Sequence, residues 1–197
     1  YLWAGIGDTY AKNYEAEISS RGEKLPHYTK VGVGFSKMCL TPMLEYGRQA
    51  LEDNKKGVAT EALEQVALAI VVTTAIVSIF LTRDFTPDYN SGLAHACFYA
   101  LTAYPVIEKE HLHGEVVGFG VLYALLVDGQ QEEFEKIYAL NKELGLPVRI
   151  ADIGITEEQF FETMDRIPQM SDIRHYPYAV TKEMLMQAYE TIEQLSV

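Results

Sequence analysis

The sixteen residues from Val66 to Leu81 carry no charged side chain and form the longest apolar run in the chain. Such a run has two homes, a bilayer or a protein interior. Crossing a bilayer takes about 20 mostly apolar residues, and this run is shorter and is interrupted by Thr73, Thr74 and Ser78. It therefore predicts a helix buried on all sides within a large helical domain. No basic region followed by an apolar core opens the chain, so no signal peptide is expected.

Helical periodicity governs the rest. Tyr10, Tyr14 and Ile18 recur at spacing four and predict a helix over residues 8–20, with Asp8 placed as a preferred N-cap. The Gly- and Pro-bearing stretch 21–34 reads as a loop. A second helix follows over 36–54, with Pro42 acceptable near its first turn. Thr60 is an expected N-cap for the long apolar helix, and Pro87 within 83–90 breaks it. Further helices are expected over 91–104, stopped by Pro105, and, after a charged connector at 106–112, over 114–128. Another is expected over 131–144, with later starts at Thr156 and Thr181. Phe160, Phe161 and Met164 form one buried stripe, and Met184, Ala188, Ile192 and Leu195 the last. Only 31–35 and 148–150 have strand-like composition, and both are short. The fold class expected is a single all-α domain over residues 1–197.

Composition narrows the function. The chain has 28 acidic against 16 basic residues, a formal charge of −12, which argues against nucleic acid because phosphate contacts need clustered Lys and Arg. Two cysteines, Cys39 and Cys97, are too few for a disulfide framework and point to a reducing cytoplasm. Neither a nucleic-acid nor a membrane partner is expected. Residue 1 is a tyrosine, so the sequence reads as part of something longer.

Three of the five histidines, His95, His111 and His113, flank two apolar helices joined through a bend at Pro105. Two helix starts on either side of a bend can aim both imidazoles at one point. Gly114 after His113 allows a close backbone approach, and Glu115 can orient an imidazole or simply favour a helix start. Asp8 supplies a carboxylate. One carboxylate and two imidazoles suit a divalent metal, zinc with an open position or iron(II). The plainer readings are an N-cap at Asp8 and satisfied core histidines.

At these residues the sequence resembles a known family. Ala4-Gly5-Ile6-Gly7-Asp8, continued by Ala11, Tyr14, Glu15 and Ala16, is similar to the Gly-x-Gly-Asp segment of the glycerol dehydrogenase-like branch of the iron-containing alcohol dehydrogenases. Gly92-Leu93-Ala94-His95-Ala96 with Leu101-Thr102 resembles its second segment, and His113-Gly114-Glu115-x-Val117-x-Phe119-Gly120 its third. The segments lie in the family's order and span essentially the whole chain. The resemblance implies that Asp8, His95 and His113 bind the catalytic metal, zinc in this branch and iron in others. Lys12 stands where the iron-type branch has a fourth ligand, which favours zinc. Phe98 replaces a second histidine of the family, and Asp8-Thr9-x-Ala11-Lys12 is closer to a branch acting on 2-hydroxy and 2-oxo acids.

The resemblance further implies metal-assisted hydride transfer from a small alcohol, polyol or hydroxy acid to NAD(P), by a homo-oligomer, with His111 able to relay the released proton. Family members carry an N-terminal dinucleotide-binding half with a Gly-Gly-Gly-Ser loop. Gly32-Val33-Gly34-Phe35-Ser36 does not match it, because no long strand precedes it and no βαβ unit surrounds it. Residues 1–197 thus read as the C-terminal, metal-binding catalytic domain, with the dinucleotide-binding domain absent from this chain. The isolated domain is expected to be inactive. The competing readings are a helical module that keeps a metal without catalysis and a purely structural bundle.

Overall fold

The computed structural model describes residues 1–82 and 88–195. Among them every regular element is helical, and the all-α class stands. Helix α1 (Leu2–Ser19) buries residues on every face between Ala4 and Ser19. It crosses α7 (His113–Val127), whose face from Gly114 to Val127 is also almost wholly buried. These two helices are the centre of the domain. Around them lie α2 (His27–Lys56), α3 (Glu61–Leu68), α4 (Thr74–Leu81), α5 (Leu93–Leu101), α6 (Pro105–Glu110), α8 (Gln131–Leu144), α9 (Glu157–Arg166) and α10 (Lys182–Gln194). A π-helical turn, Ala69–Thr73, joins α3 to α4 without a break.

Glycines set the central crossings. A Cβ on Gly7 would stand 2.3 Å from the Gly114 carbonyl oxygen, and one on Gly114 would stand 2.0 Å from the Ala4 carbonyl oxygen. No side chain fits between these backbones. The α5–α7 crossing is made the same way, since a Cβ on Gly120 would lie 2.6 Å from the Ala94 carbonyl oxygen.

Several boundaries differ from the sequence reading. Helix α1 begins at Leu2, so Asp8 is in its second turn and is not an N-cap; Leu2, Trp3 and Ala4 extend the same periodic face. The expected loop over 21–34 is short, because α2 starts at His27. Gly32 lies in that helix to admit a neighbour: a Cβ there would sit 2.7 Å from Phe80 Cβ. Residues 31–35 are therefore helical, and Pro42 falls, buried, well inside α2, a helix that packs on α1 and α4. Residues 148–150 form no strand and lead into a 3-10 turn. The connector at 106–112 contains α6, with Pro105 opening it. Leu195 is exposed. Thr60, Thr156 and Thr181 cap their helices as expected, each accepting from the backbone N–H three residues on. Pro87 lies outside the described residues.

The largest correction concerns the apolar run. Helical structure is continuous from Glu61 to Leu81, 21 residues, long and apolar enough to cross a membrane by length and composition, and only 17% of its most apolar window is buried. Counting from Val66 misses the first turn and a half, where Glu61 and Glu64 sit. One face of the segment meets α1 and α2; Ile70 packs on Gly5, and Thr74 Oγ1 lies 3.4 Å from Thr9 Oγ1. The opposite face exposes Leu68, Val71 (68%), Val72, Ile76 and Ile79 (64%). Beside it, Tyr28, Val31, Phe35 and Met38 form an exposed apolar stripe on α2. The helices buried all round are α1 and α7.

Asp128, at the end of α7, clamps three segments. Its side chain is 1% exposed and accepts from both Arg21 terminal nitrogens (2.8 and 2.7 Å), from the Tyr178 hydroxyl (2.7 Å) and from Gln130 (2.7 Å). Burial pushes this carboxyl up, but the hydrogen bonds from Arg21, Tyr178 and Gln130 outweigh it and hold it below the usual carboxylate range. A depressed native pKa adds stability above the unfolded-chain value of about 3.9, and that stability is lost as pH falls through the native value. Asp128→Asn should lower stability at pH 7 and flatten the acid limb of the stability–pH profile, as read by urea unfolding. A limb of unchanged steepness would mean that other carboxylates carry it.

Two glycine substitutions should move in opposite directions. Gly114→Ala forces the α1–α7 backbones apart and should cost at least the roughly 1–3 kcal/mol typical of overpacking. Gly34→Ala, with nothing within 4 Å of the added carbon, should stabilise α2 by about 0.5–1 kcal/mol. Thermal unfolding of the two variants checks both.

Candidate metal centre

The close crossings bring three side chains together. Asp8 projects from the second turn of α1, His113 is the first residue of α7, and His95 is the third of α5. One donor atom from each lies within 4.8 Å of the others. The imidazole Nε2 atoms of His95 and His113 stand 3.4 and 3.5 Å from Asp8 Oδ1, and the two ring centroids are 5.3 Å apart. The three residues singled out from the sequence thus converge.

Asp8 Oδ1 is fully buried and makes no hydrogen bond of good geometry, which is costly for a carboxylate oxygen. Its spacing has a simple reading. Ligands about 2.0–2.1 Å from a tetrahedral ion are separated from one another by about 3.3–3.4 Å. The two observed Asp8–imidazole distances are close to that edge. One carboxylate oxygen and two imidazole nitrogens around a shared point fit a divalent ion, and the remaining side is open to a fourth ligand.

Electrostatics favour an ionised Asp8. Burial pushes its carboxyl up, but the facing His113 and His95 imidazoles and the charge of Lys12 outweigh that and drive it well below the usual range. Lys12 lies one turn along α1, is buried, and donates from Nζ to the Asn90 carbonyl oxygen at 2.9 Å. His95 is buried, which alone would lower its pKa; the Glu15 and Asp8 carboxylates reverse the effect and raise it to about 9. A cation in the centre would take the place of that proton.

Glu15 is the residue the sequence reading missed as a participant. It lies two turns from Asp8 on the same face of α1 and is fully buried. Oε1 accepts from the backbone N–H groups of Gly92 (2.8 Å) and His95 (3.0 Å), and Oε2 lies 2.6 Å from His95 Nδ1. Burial pushes this carboxyl up, and His95, Lys12 and the backbone donors bring it below its ordinary value. The available signal was a carboxylate seven positions after Asp8 on an otherwise core-facing helix. Phe98 meets the His113 ring edge-on, with centroids 4.4 Å apart at 84°. His111 is engaged elsewhere: its Nδ1 lies 3.1 Å from Glu115 Oε1, while Glu115 Oε2 accepts from Leu112 N and caps α7.

Known proteins resemble this chain in sequence. Hydroxycarboxylate dehydrogenase A from Escherichia coli K12 is 29% identical over 199 residues, covering 98% of this chain and 53% of that protein. A glycerol dehydrogenase from Pseudomonas putida is 30% identical over 208 residues with the same coverage. The chain is related to the glycerol and hydroxycarboxylate dehydrogenases. This relationship bears out the resemblance to the glycerol dehydrogenase-like branch of the iron-containing alcohol dehydrogenases. No family model matches the chain. It spans about half the length of the curated relatives it matches.

A crystal structure of a probable glycerol dehydrogenase from Sinorhizobium meliloti 1021 superposes with a TM-score of 0.81 at 23% identity, covering 100% of this chain and 55% of that one. At that identity the likeness speaks for the fold alone. Because it covers the whole chain, the apolar helix from Glu61 to Leu81 belongs to the dehydrogenase fold and is not an appendage to it.

Proposed function

We propose that this chain is the metal-binding half of an NAD(P)-linked, metal-dependent alcohol or polyol dehydrogenase, with Asp8, His95 and His113 as the metal ligands. The observation that carries the reading is the orphaned Asp8 Oδ1, 3.4 and 3.5 Å from two imidazole nitrogens. The donor set suits zinc, with iron(II) as the alternative. A metal held there would supply Lewis acidity that makes an alcohol hydroxyl easier to deprotonate, and NAD(P), held by a dinucleotide-binding half, would supply the hydride acceptor.

The chain's own residues prepare the centre. Lys12 keeps Asp8 anionic without approaching the open side, since its ammonium is committed to Asn90. Phe98 places an apolar ring edge-on against His113. His111, held by Glu115, is assigned the outward passage of the released proton. Cytoplasmic residence and self-association of the chain belong to the same reading; Cys39 and Cys97 are both buried and unpaired. A 2-hydroxy acid is the second substrate class, favoured by the Escherichia coli hydroxycarboxylate relative and by the Asp8-Thr9-x-Ala11-Lys12 opening.

Zinc titration followed by elemental analysis should find one ion per chain, and His113→Ala should weaken binding by well over the 10–100-fold typical of residues behind the ligands. Unchanged metal content in that variant overturns the ligand assignment. The 197-residue chain should give no useful NAD(P)-linked turnover of glycerol or 2-hydroxy acids. Holding a nicotinamide about 3–3.5 Å from the reacting carbon supplies roughly 7–11 kcal/mol of the barrier, and a dinucleotide-binding half is needed for it. Equal rates from this chain and from a version joined to such a half would show the cofactor site to be misassigned.

A further inference from the structure

We infer that Glu15 is a positioning residue that sets the tautomer of His95, so that the imidazole presents a lone pair, and not a proton, to the centre; this rests on the metal reading of Asp8, His95 and His113. Helix register sets the arrangement. Seven residues rise about 10.5 Å along a helix and return to nearly the same face, so Asp8 and Glu15 reach the His95 ring from its two ends. Asp8 Oδ1 faces Nε2 at 3.4 Å and Glu15 Oε2 faces Nδ1 at 2.6 Å. A carboxylate only accepts hydrogen bonds. At 2.6 Å it requires the proton on Nδ1, which leaves Nε2 as the metal-facing donor whenever the ring is neutral.

The two oxygens of Glu15 have separate tasks. Gly92, at the start of α5, has no side chain with which to cap that helix, and Oε1 reaches across from α1 to accept from Gly92 N and His95 N. The Tyr176 hydroxyl takes the Leu93 N–H at 3.1 Å. One oxygen is enough for the cap, and the second is given wholly to the ring. Gly92 is shaped for the contact: a Cβ there would lie 3.2 Å from Glu15 Cγ. Burying the charge is tolerated because α5 points its positive end at it and Lys12 sits one turn away.

Glu15→Gln separates capping from tautomer control. If the amide oxygen keeps the two backbone bonds, its NH2 group donates to Nδ1, the proton moves to Nε2, and the ring no longer offers that nitrogen to a metal. The opposite amide orientation sets NH2 against two backbone N–H donors. The variant should keep the wild-type far-UV circular dichroism while its zinc affinity, measured by chelator competition, falls at least 100-fold. Wild-type affinity in the folded variant overturns the inference. Wild-type protein that binds no zinc, or His113→Ala protein that binds it normally, overturns the underlying metal reading instead. Should Glu15→Gln fail to fold, long-range proton–nitrogen NMR on zinc-loaded wild type decides. A proton on His95 Nδ1 supports the inference, and a proton on Nε2 refutes it.

Discussion

Two backbones meet where Gly7 of α1 faces Gly114 of α7, and the rest of the molecule is arranged around that contact. A single added carbon at either position would fall within 2.3 Å of a main-chain oxygen. The consequence is immediate in sequence, because the neighbour of Gly7 is Asp8 and the neighbour of Gly114 is His113. The third donor is seated by the same device. Ala94 lies against Gly120, and His95 follows Ala94. Each candidate ligand is thus one residue from a place where two helices touch main chain to main chain. Positions so tied to backbone geometry vary little with side-chain repacking, which is the precision a metal centre demands.

The same crossings bury charge. Asp8, Lys12 and Glu15 succeed one another along one side of α1, and His95 fits between the two carboxylates. Alternation of sign lets each group lower the cost of its neighbour's burial, but the arrangement adds little to stability, since buried ion pairs seldom outperform a well-packed apolar core. Glu15 caps α5 and Lys12 ties α1 to Asn90, but neither contact calls for Asp8 beside them on a helix otherwise apolar through Tyr10, Ala11, Tyr14 and Ala16. Their presence is better accounted for by a site that must hold a cation and fix an imidazole.

Much of this was legible in the sequence, and the illegible parts share a cause. The three candidate ligands stood out because glycine, charge and histidine recur near helix starts, and the threonine caps and α8 followed local rules. What local rules misjudged was decided by distant neighbours. Asp8 resembles a cap until the preceding turn is seen to be helical. Gly32 resembles extended or loop backbone until Phe80 is found against it. The run from Val66 to Leu81 has the composition of a core helix, yet composition does not say how many faces are covered; that depends on α2 lying on one side only. Glu15 was visible as a letter in a motif, and its role depends on Gly92 and His95, about 80 residues away.

The centre is markedly one-sided, and this asymmetry bears on how a substrate would enter. His95 is sealed, its side chain 6% exposed, with Glu15 behind it; His113 is 44% exposed and Asp8 29%. The fixed half of the site therefore faces the core, where Glu15 holds the ring at Nδ1, and the accessible half lies along His113. Beside His113 the ring of Phe98 supplies an apolar surface, at the position where the sequence resemblance implies a second histidine. A small alcohol arriving from that side would meet a hydrocarbon wall on one flank and polar donors on the other. On the proposed reading, a hydroxyl set against Phe98 would give up its hydrogen bonds to water without replacement, so a bare carbon is the better neighbour for that ring. Phe98 is accordingly the residue at which selectivity among alcohols should be most sensitive. Phe98→His should shift preference toward polyols, measurable as a change in the ratio of kcat/KM for glycerol to that for a simple primary alcohol in the protein joined to its dinucleotide-binding half.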